Sequence, residues 1–268
     1  MEFMQGIEMY NDLIQHTIVL ETGCKSLDSL LDGGIFTGEM IEVFGPPAVG
    51  KTQLALTLTA ATIEKQHNVI YFDSTSSFSA ERLLQILSLR SNLYSMQRNK
   101  LLLSNVRCFP VYLAVDFIDQ LKKIGQALEQ EWDSFFIKSK LIIVDSIASL
   151  ITPILGGQQF KGHAIMSKIG LLLKKISHQF GIAVLVINNS VLNYKPDTVP
   201  CYGQYKPSLG QTWHCVPSIR LMLDFTNEKS TQRVCTIQKH TRLPGNLSTC
   251  VCIQMEGLCT SSVKMTTK

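Results

Sequence analysis

Charge is scarce in this sequence, and what there is nearly cancels. Asp, Glu, Lys and Arg make up 17% of the 268 residues, and 25 Lys and Arg stand against 21 Asp and Glu, for a formal charge of +4. That mild basic bias permits contact with nucleic acid without demanding it, and it excludes a protein that coats a polyanion by charge alone. Long apolar runs are missing as well: stretches such as Ile182 to Ile187 are far too short to span a bilayer. The N-terminus carries Glu2, Glu8 and Asp12 and no cationic flank ahead of an apolar core, so neither a secretory signal nor an arginine-rich transit peptide is visible. The expectation is a soluble intracellular protein without membrane contact. The eight cysteines contain no CxxC pair, and the nearest groupings, Cys250-Val251-Cys252 and His214-Cys215, are read as packed, reduced thiols rather than zinc ligands.

What is present is apolar content, 45% of the chain, enough for one sizeable core. Residues 1–20 show weak periodicity and are read as a lead-in, with residues 21–268 forming the core domain. A short helix over Ser26 to Leu31 ends in Gly33-Gly34. Met40 to Phe44 and Asn68 to Asp73 predict strands, and Leu54, Leu58 and Ala61 predict one apolar face on the helix between them. Further along, Ala80 to Leu89 predicts a helix, Arg90 to Lys100 a polar loop, and Asn105 to Val111 a short strand. Phe117, Leu121, Ile124 and Leu128 then mark a helix, Leu141 to Asp145 a buried strand, Ile165 to Phe180 another helix, and Ile182 to Ile187 another strand. Strands alternating with helices predict an α/β fold with a mostly parallel central sheet covered on both faces. Beyond Asn188 a long loop runs to about Cys215, and β-rich segments at Ser218 to Phe225, Arg233 to Lys239 and Thr249 to Gln254 are expected to extend the same sheet.

One motif carries chemistry. Gly45-Pro46-Pro47-Ala48-Val49-Gly50-Lys51-Thr52 fits GxxxxGK[ST] and sits between an apolar strand and a helix, the setting in which such a loop cradles phosphates. Lys51 can reach the β and γ phosphates and Thr52 can ligate magnesium. Pro46 and Pro47 lack N–H groups, so donors come from Ala48 through Thr52, with Gln53 flanking them. Asp145, closing an apolar strand, is the expected second magnesium group. The chain has no Asn-Lys-x-Asp segment for guanine. Ser146 follows Asp145 where many P-loop ATPases place a glutamate, so a water-activating group must lie elsewhere.

With Gly33 to Glu39 ahead of the loop, Gly50-Lys51-Thr52-Gln53, Tyr71-Phe72-Asp73, Glu81-Arg82-Leu83 and the strand ending at Asp145, the chain resembles the RecA-like strand-exchange ATPases, specifically the eukaryotic recombinase paralogues. Pro153 to Gln159, Lys206 to Gly210 and Trp213 look most like the D-type paralogue. The resemblance implies a RecA-like P-loop core with a C-terminal β extension, ATP and Mg2+ as cofactors, and a nuclear role in homologous-recombination DNA repair. It implies assembly with other paralogues in a hetero-oligomer that stabilises the strand-exchange filament on single-stranded DNA. It places Thr75 at the family's catalytic glutamate and Asn189 at the glutamine that senses the γ phosphate, so Lys51, Thr75 and Asn189 are the catalytic-position residues. Weak, DNA-stimulated ATP hydrolysis is expected, with a non-catalytic scaffold of P-loop fold as the alternative. DNA would meet one loop near Pro153 to His163 and another from Ser190 to about His214, bringing Lys161, His163, Tyr194, Lys195, Tyr202, Tyr205, Lys206 and Trp213 to phosphates and bases. The resemblance also brings an N-terminal helical domain and a linker with a Phe-x-x-Ala plug, and both are expected to be missing here.

Overall fold

The computed structural model describes residues 5–8, 11, 16–90, 96–156, 159–192, 205–226 and 231–261. Its strands are β1 (Val19–Leu20), β2 (Ile35–Phe36), β3 (Met40–Gly45), β4 (Asn68–Asp73), β5 (Val106–Pro110), β6 (Ser139–Asp145), β7 (Ala183–Leu192), β8 (Tyr205–Pro207), β9 (Ile219–Phe225), β10 (Gln232–Lys239), β11 (Ser248–Gln254) and β12 (Gly257–Thr260). β1 and β2 pair as a small ribbon. The others form one sheet in the order β12-β11-β10-β9-β3-β7-β6-β4-β5, with β8 added to the end of β7. From β9 to β5 every neighbouring pair is parallel, while β10, β11 and β12 continue the sheet antiparallel. This is the expected mostly parallel sheet with its C-terminal extension.

Alternation along the strands feeds two cores. Ile41, Val43, Val69, Tyr71, Leu141, Ile143, Leu185 and Ile187 pack on one face with the helices Lys25–Leu30, Lys51–Glu64 and Ala80–Arg90. Met40, Ile70, Phe72, Ile142, Val144, Val184 and Val186 pack on the other with the helices Ala114–Glu129, Ile147–Leu155 and Gln159–Phe180. Because both faces are covered, these strands read as nearly unbroken apolar runs.

Several expectations are corrected. The helix Lys51–Glu64 is buried almost all round from Leu54 to Ile63, not along one stripe. Its threonines tolerate this because Thr57, Thr59 and Thr62 return their hydroxyls to carbonyls four residues earlier, at 2.7, 2.8 and 2.8 Å. Thr57 also accepts the Leu258 N–H at 2.8 Å, which seats β12 on the helix. The expected polar loop from Arg90 to Lys100 contains the start of a helix, Met96–Leu102, in which only Asn99 is buried; a polar inner residue with Met96 and Leu101 exposed leaves no apolar spacing to read. β7 runs on to Leu192, and the long loop after it carries β8 and the helix Gly210–His214. The stretch from Pro153 to His163 is not a loop: it is the end of one helix and the start of the next, with residues 157–158 outside the described set.

The turn after β10 is closed by His240, whose Nδ1 accepts the N–H groups of Arg242 at 3.0 Å and Leu243 at 3.1 Å. The ring proton therefore sits on Nε2, which is buried without a hydrogen-bond partner. An imidazolium cannot accept at Nδ1, and burial, then the Arg242 guanidinium, push the group below its usual range against weaker pulls from Glu39 and Asp32. The unfolded chain titrates near pH ~6.5. The stabilisation is thus complete above that pH and is lost as pH falls towards the lower folded value. We expect the Tm to drop between pH 7 and 5, about neutral to mildly acid, and the drop to shrink in His240→Asn, whose amide oxygen can accept the same N–H groups. Parallel Tm profiles for the two proteins would remove His240 as the cause.

Candidate nucleotide site

β3 delivers the chain to Gly45 at the C-terminal edge of the sheet, beside β7 and β9. A Cβ at Gly45 would collide with the Leu223 carbonyl oxygen of β9. The loop that follows alternates hand: Ala48 has φ +60 and Gly50 φ +108, and the helix opens at Lys51. Left-handed residues at that spacing turn successive N–H groups into one concavity, and the first amides of a helix have no carbonyl partner within it. Lys51 folds back over this hollow, its Nζ donating to the carbonyls of Gly45 at 2.8 Å and Pro46 at 2.9 Å. Burial lowers its pKa, opposed by the nearby Asp145 carboxylate. Arg233 of β10 supports the loop from outside by donating to the Val49 carbonyl at 3.0 Å.

The two predicted magnesium groups are brought together. Thr52 Oγ1 donates to Asp145 Oδ2 at 2.7 Å. The same oxygen receives Tyr71 Oη at 3.0 Å and Ser77 Oγ at 3.3 Å, partners that the motif alone did not suggest. Burial raises the Asp145 pKa, the three hydroxyls pull it down, and neighbouring Asp73 pushes it up again. The Tyr71 phenol is held well above its ordinary range by burial and by Asp145. A hollow of amides, one ammonium, and a hydroxyl beside a carboxylate is a donor set that suits a triphosphate with its Mg2+: Ala48 to Thr52 and Lys51 could hold the phosphates, Thr52 and Asp145 the metal.

The catalytic positions are less well equipped. Thr75 is exposed and its hydroxyl donates to Ser77 at 2.9 Å. Asp73 is already committed: its oxygens accept the N–H groups of Thr75, Ser77 and Phe78 at 3.1, 3.1 and 2.9 Å, holding the loop after β4 in shape. Ser74, Ser146 and Ser149 form a hydroxyl cluster behind Asp145 and supply no strong base. Asn189 lies opposite Gly45 in the β3–β7 ladder with its side chain exposed. Gln53 accepts from Arg82 Nε at 3.0 Å, and the same guanidinium donates to the carbonyls of Gln254 at 2.9 Å and Met255 at 2.6 Å. Arg82 so pins the β11–β12 turn to the phosphate-loop helix, a role that only the fold discloses.

Of the residues expected to face DNA, Lys161 and His163 are exposed near the start of the helix Gln159–Phe180, Lys206 is exposed on β8 and Tyr205 is half-buried beside it. Tyr194, Lys195 and Tyr202 lie outside the described residues. Trp213 corrects the expectation outright: it is fully buried, with its indole N–H bonded to Glu42 at 3.0 Å, and offers no ring for a base to stack on. No helix among the described residues is long and apolar enough to cross a membrane.

Comparison with known proteins agrees with this geometry. A family model described as Rad51 matches residues 14–260. The chain is 37% identical over 244 residues to the DNA repair protein RAD51 homolog 4 of Bos taurus, covering 89% of this chain and 72% of the relative. It is 30% identical over 244 residues to the DNA repair protein RAD51 homolog 2 of Mus musculus, covering 80% and 68%. Among solved structures, the crystal structure of the RadB recombinase superposes with a TM-score of 0.70 at 30% identity, covering 91% of this chain and all of that one.

Proposed function

The chain belongs to the Rad51 family, and from that premise we propose that it is an ATP-binding recombinase paralogue of homologous-recombination repair. In this reading it acts in the nucleus, joining other paralogues to stabilise the strand-exchange filament on single-stranded DNA. The observation that carries the reading is the 2.7 Å bond from Thr52 to Asp145, which closes the phosphate loop onto the acid ending β6.

Bound Mg-ATP would supply the γ-phosphoryl group whose hydrolysis resets such an assembly. The chain's own part starts with Lys51, whose Nζ, bonded to two loop carbonyls, would turn to phosphate oxygens. Thr52 and Asp145 would hold the metal, and Tyr71 and Ser77 keep the Asp145 carboxylate oriented. Gly45 and Gly50 let the loop pack where a Cβ would meet the Leu223 carbonyl oxygen and the Ile253 side chain. Among the described residues no comparable support exists for activating water, since the Thr75 hydroxyl bonds only a serine hydroxyl there and Asp73 is spent on backbone amides. Binding that outlasts cleavage follows.

Turnover by the isolated chain is therefore expected well below the ~1 per second that opens the usual enzyme range. It should rise when single-stranded DNA and a candidate paralogue are added together, as a group supplied in trans would do. Measuring ATP turnover on the chain alone, with DNA, and with DNA plus partner tests this. Fast turnover by the chain alone contradicts the reading, as does failure to bind Mg-ATP in any of the three settings.

A further inference from the structure

Arg233 stands near the start of β10, where alternation puts its side chain on the same face as Cys235 and Ile237, the face that packs against the helix Lys51–Glu64. Its neighbours across the ladders are Phe225 of β9 and Val251 of β11. The guanidinium lies over the Phe225 ring, 4.6 Å from its centroid, and Nη1 donates to the Gln232 carbonyl at 2.8 Å. From that seat Nε reaches the Val49 carbonyl at 3.0 Å. A second contact presses on the next residue, since a Cβ at Gly50 would run into the Ile253 side chain of β11. Two strands of the C-terminal extension thus close, from outside, on the peptide group that joins Val49 to Gly50.

The orientation of that one peptide decides what the hollow offers a ligand. A trans peptide unit is planar with its C=O and N–H on opposite sides, so a carbonyl tied outward aims the following N–H the other way. Little else fixes this unit. The Val49 side chain is buried, which anchors the residue but not the plane beyond its Cα. Gly50, at φ +108, has no Cβ to resist a flip, because glycine takes either sign of φ at small cost. A flipped unit would present an oxygen to the phosphates in place of a donor, turning attraction into repulsion. Arginine suits the task of preventing this. A lysine would keep the charge but would lose the planar group that lies over Phe225 while bonding two carbonyls.

We propose that Arg233 is a positioning residue of the nucleotide site: by holding the Val49 carbonyl outward it keeps the Gly50 N–H pointed at the phosphates. The proposal rests on the nucleotide reading above. Arg233 acts through the loop backbone and not by contact with the ligand.

The test follows the Gly50 amide by proton–nitrogen NMR while the imido analogue of ATP is titrated in with Mg2+, and calorimetry gives the affinity of the same samples. In the unaltered protein the Gly50 proton should move downfield at saturation, as an N–H that gains a charged acceptor does. Arg233→Met should weaken affinity by about 10-fold, the order of one charge-assisted bond. Arg233→Lys should weaken it less, and in both variants the Gly50 displacement at saturation should shrink. Phe225→Leu removes only the ring beneath the guanidinium and should move both readings the same way by a smaller step. A Gly50 displacement undiminished in Arg233→Met and Arg233→Lys overturns the proposal alone. So does a loss of affinity that vanishes in about 0.5 M salt, because only charge acting at a distance is screened away. An unaltered protein that fails to bind the analogue sinks the nucleotide reading and the proposal together. A brace that merely held the fold would lower the Tm of these variants and leave the saturated Gly50 resonance where it was.

Discussion

Lys51→Ala is expected to lower Mg-ATP affinity by about 100-fold or more, roughly 3 kcal/mol, the scale of charge-assisted bonds in a partly water-excluded site. Among the described residues the ammonium bonds two loop carbonyls. Removing it should therefore cost about 1 kcal/mol or less of stability, because those carbonyls can turn to water. Affinity and stability are thus predicted to separate, and calorimetric titration beside urea unfolding reads both. Lys51→Arg should fail to restore binding, since a planar fork does not fit a hollow shaped for a point charge. Unchanged affinity in Lys51→Ala would contradict the assignment of this loop to phosphate.

Glu42→Ala should destabilise the protein by about 3–5 kcal/mol, because it strands the Arg220 guanidinium in the core. It also removes one of the two acceptors of the Asn188 amide and the acceptor of the Trp213 N–H. Arg220→Ala should cost a similar amount from the opposite side, leaving an unpaired carboxylate. Replacing both by apolar residues of similar volume, Glu42→Leu with Arg220→Met, should cost less than the sum of the single changes, since no charge is then left alone. A double-mutant cycle by urea denaturation measures this coupling, and additive single effects would mean that the two groups do not share one buried environment. A surface ion pair such as Lys175–Glu129, with both side chains largely exposed, should show a coupling of about 0.5 kcal/mol in the same assay.

Much of this architecture is legible in the chain, for identifiable reasons. β4 and β6 are apolar runs closed by an acid, and the phosphate loop announces itself because glycine, lysine and threonine at fixed spacing have few other uses. The meeting of Thr52 with Asp145 follows once both are placed at the same edge of a parallel sheet. The burial of Trp213 is not legible, because an aromatic in a proline-rich stretch gives no sign of the face it will occupy; that depends on the helix Gly210–His214, too short to show a period. The helix Lys51–Glu64 misled in the opposite sense, since threonine reads as polar while its hydroxyl can be satisfied by its own helix. Glu42 and Arg220 do signal one another in the sequence. A lone carboxylate within Met40 to Phe44 and a lone guanidinium within Ile219 to Leu223 each demand a partner, and neighbouring strands of opposite charge supply one another.

The seating of the last strands against the first has a consequence for biosynthesis. Val49 is braced by Arg233, Gly50 lies under Ile253, and Thr57 receives Leu258, so a loop made early waits for strands made much later to complete its walls. While the ribosome still holds the C-terminal strands, residues 45–57 lack those neighbours and the helix behind the loop presents bare apolar surface. Competence to grip a nucleotide should arrive only after β10 to β12 have been made.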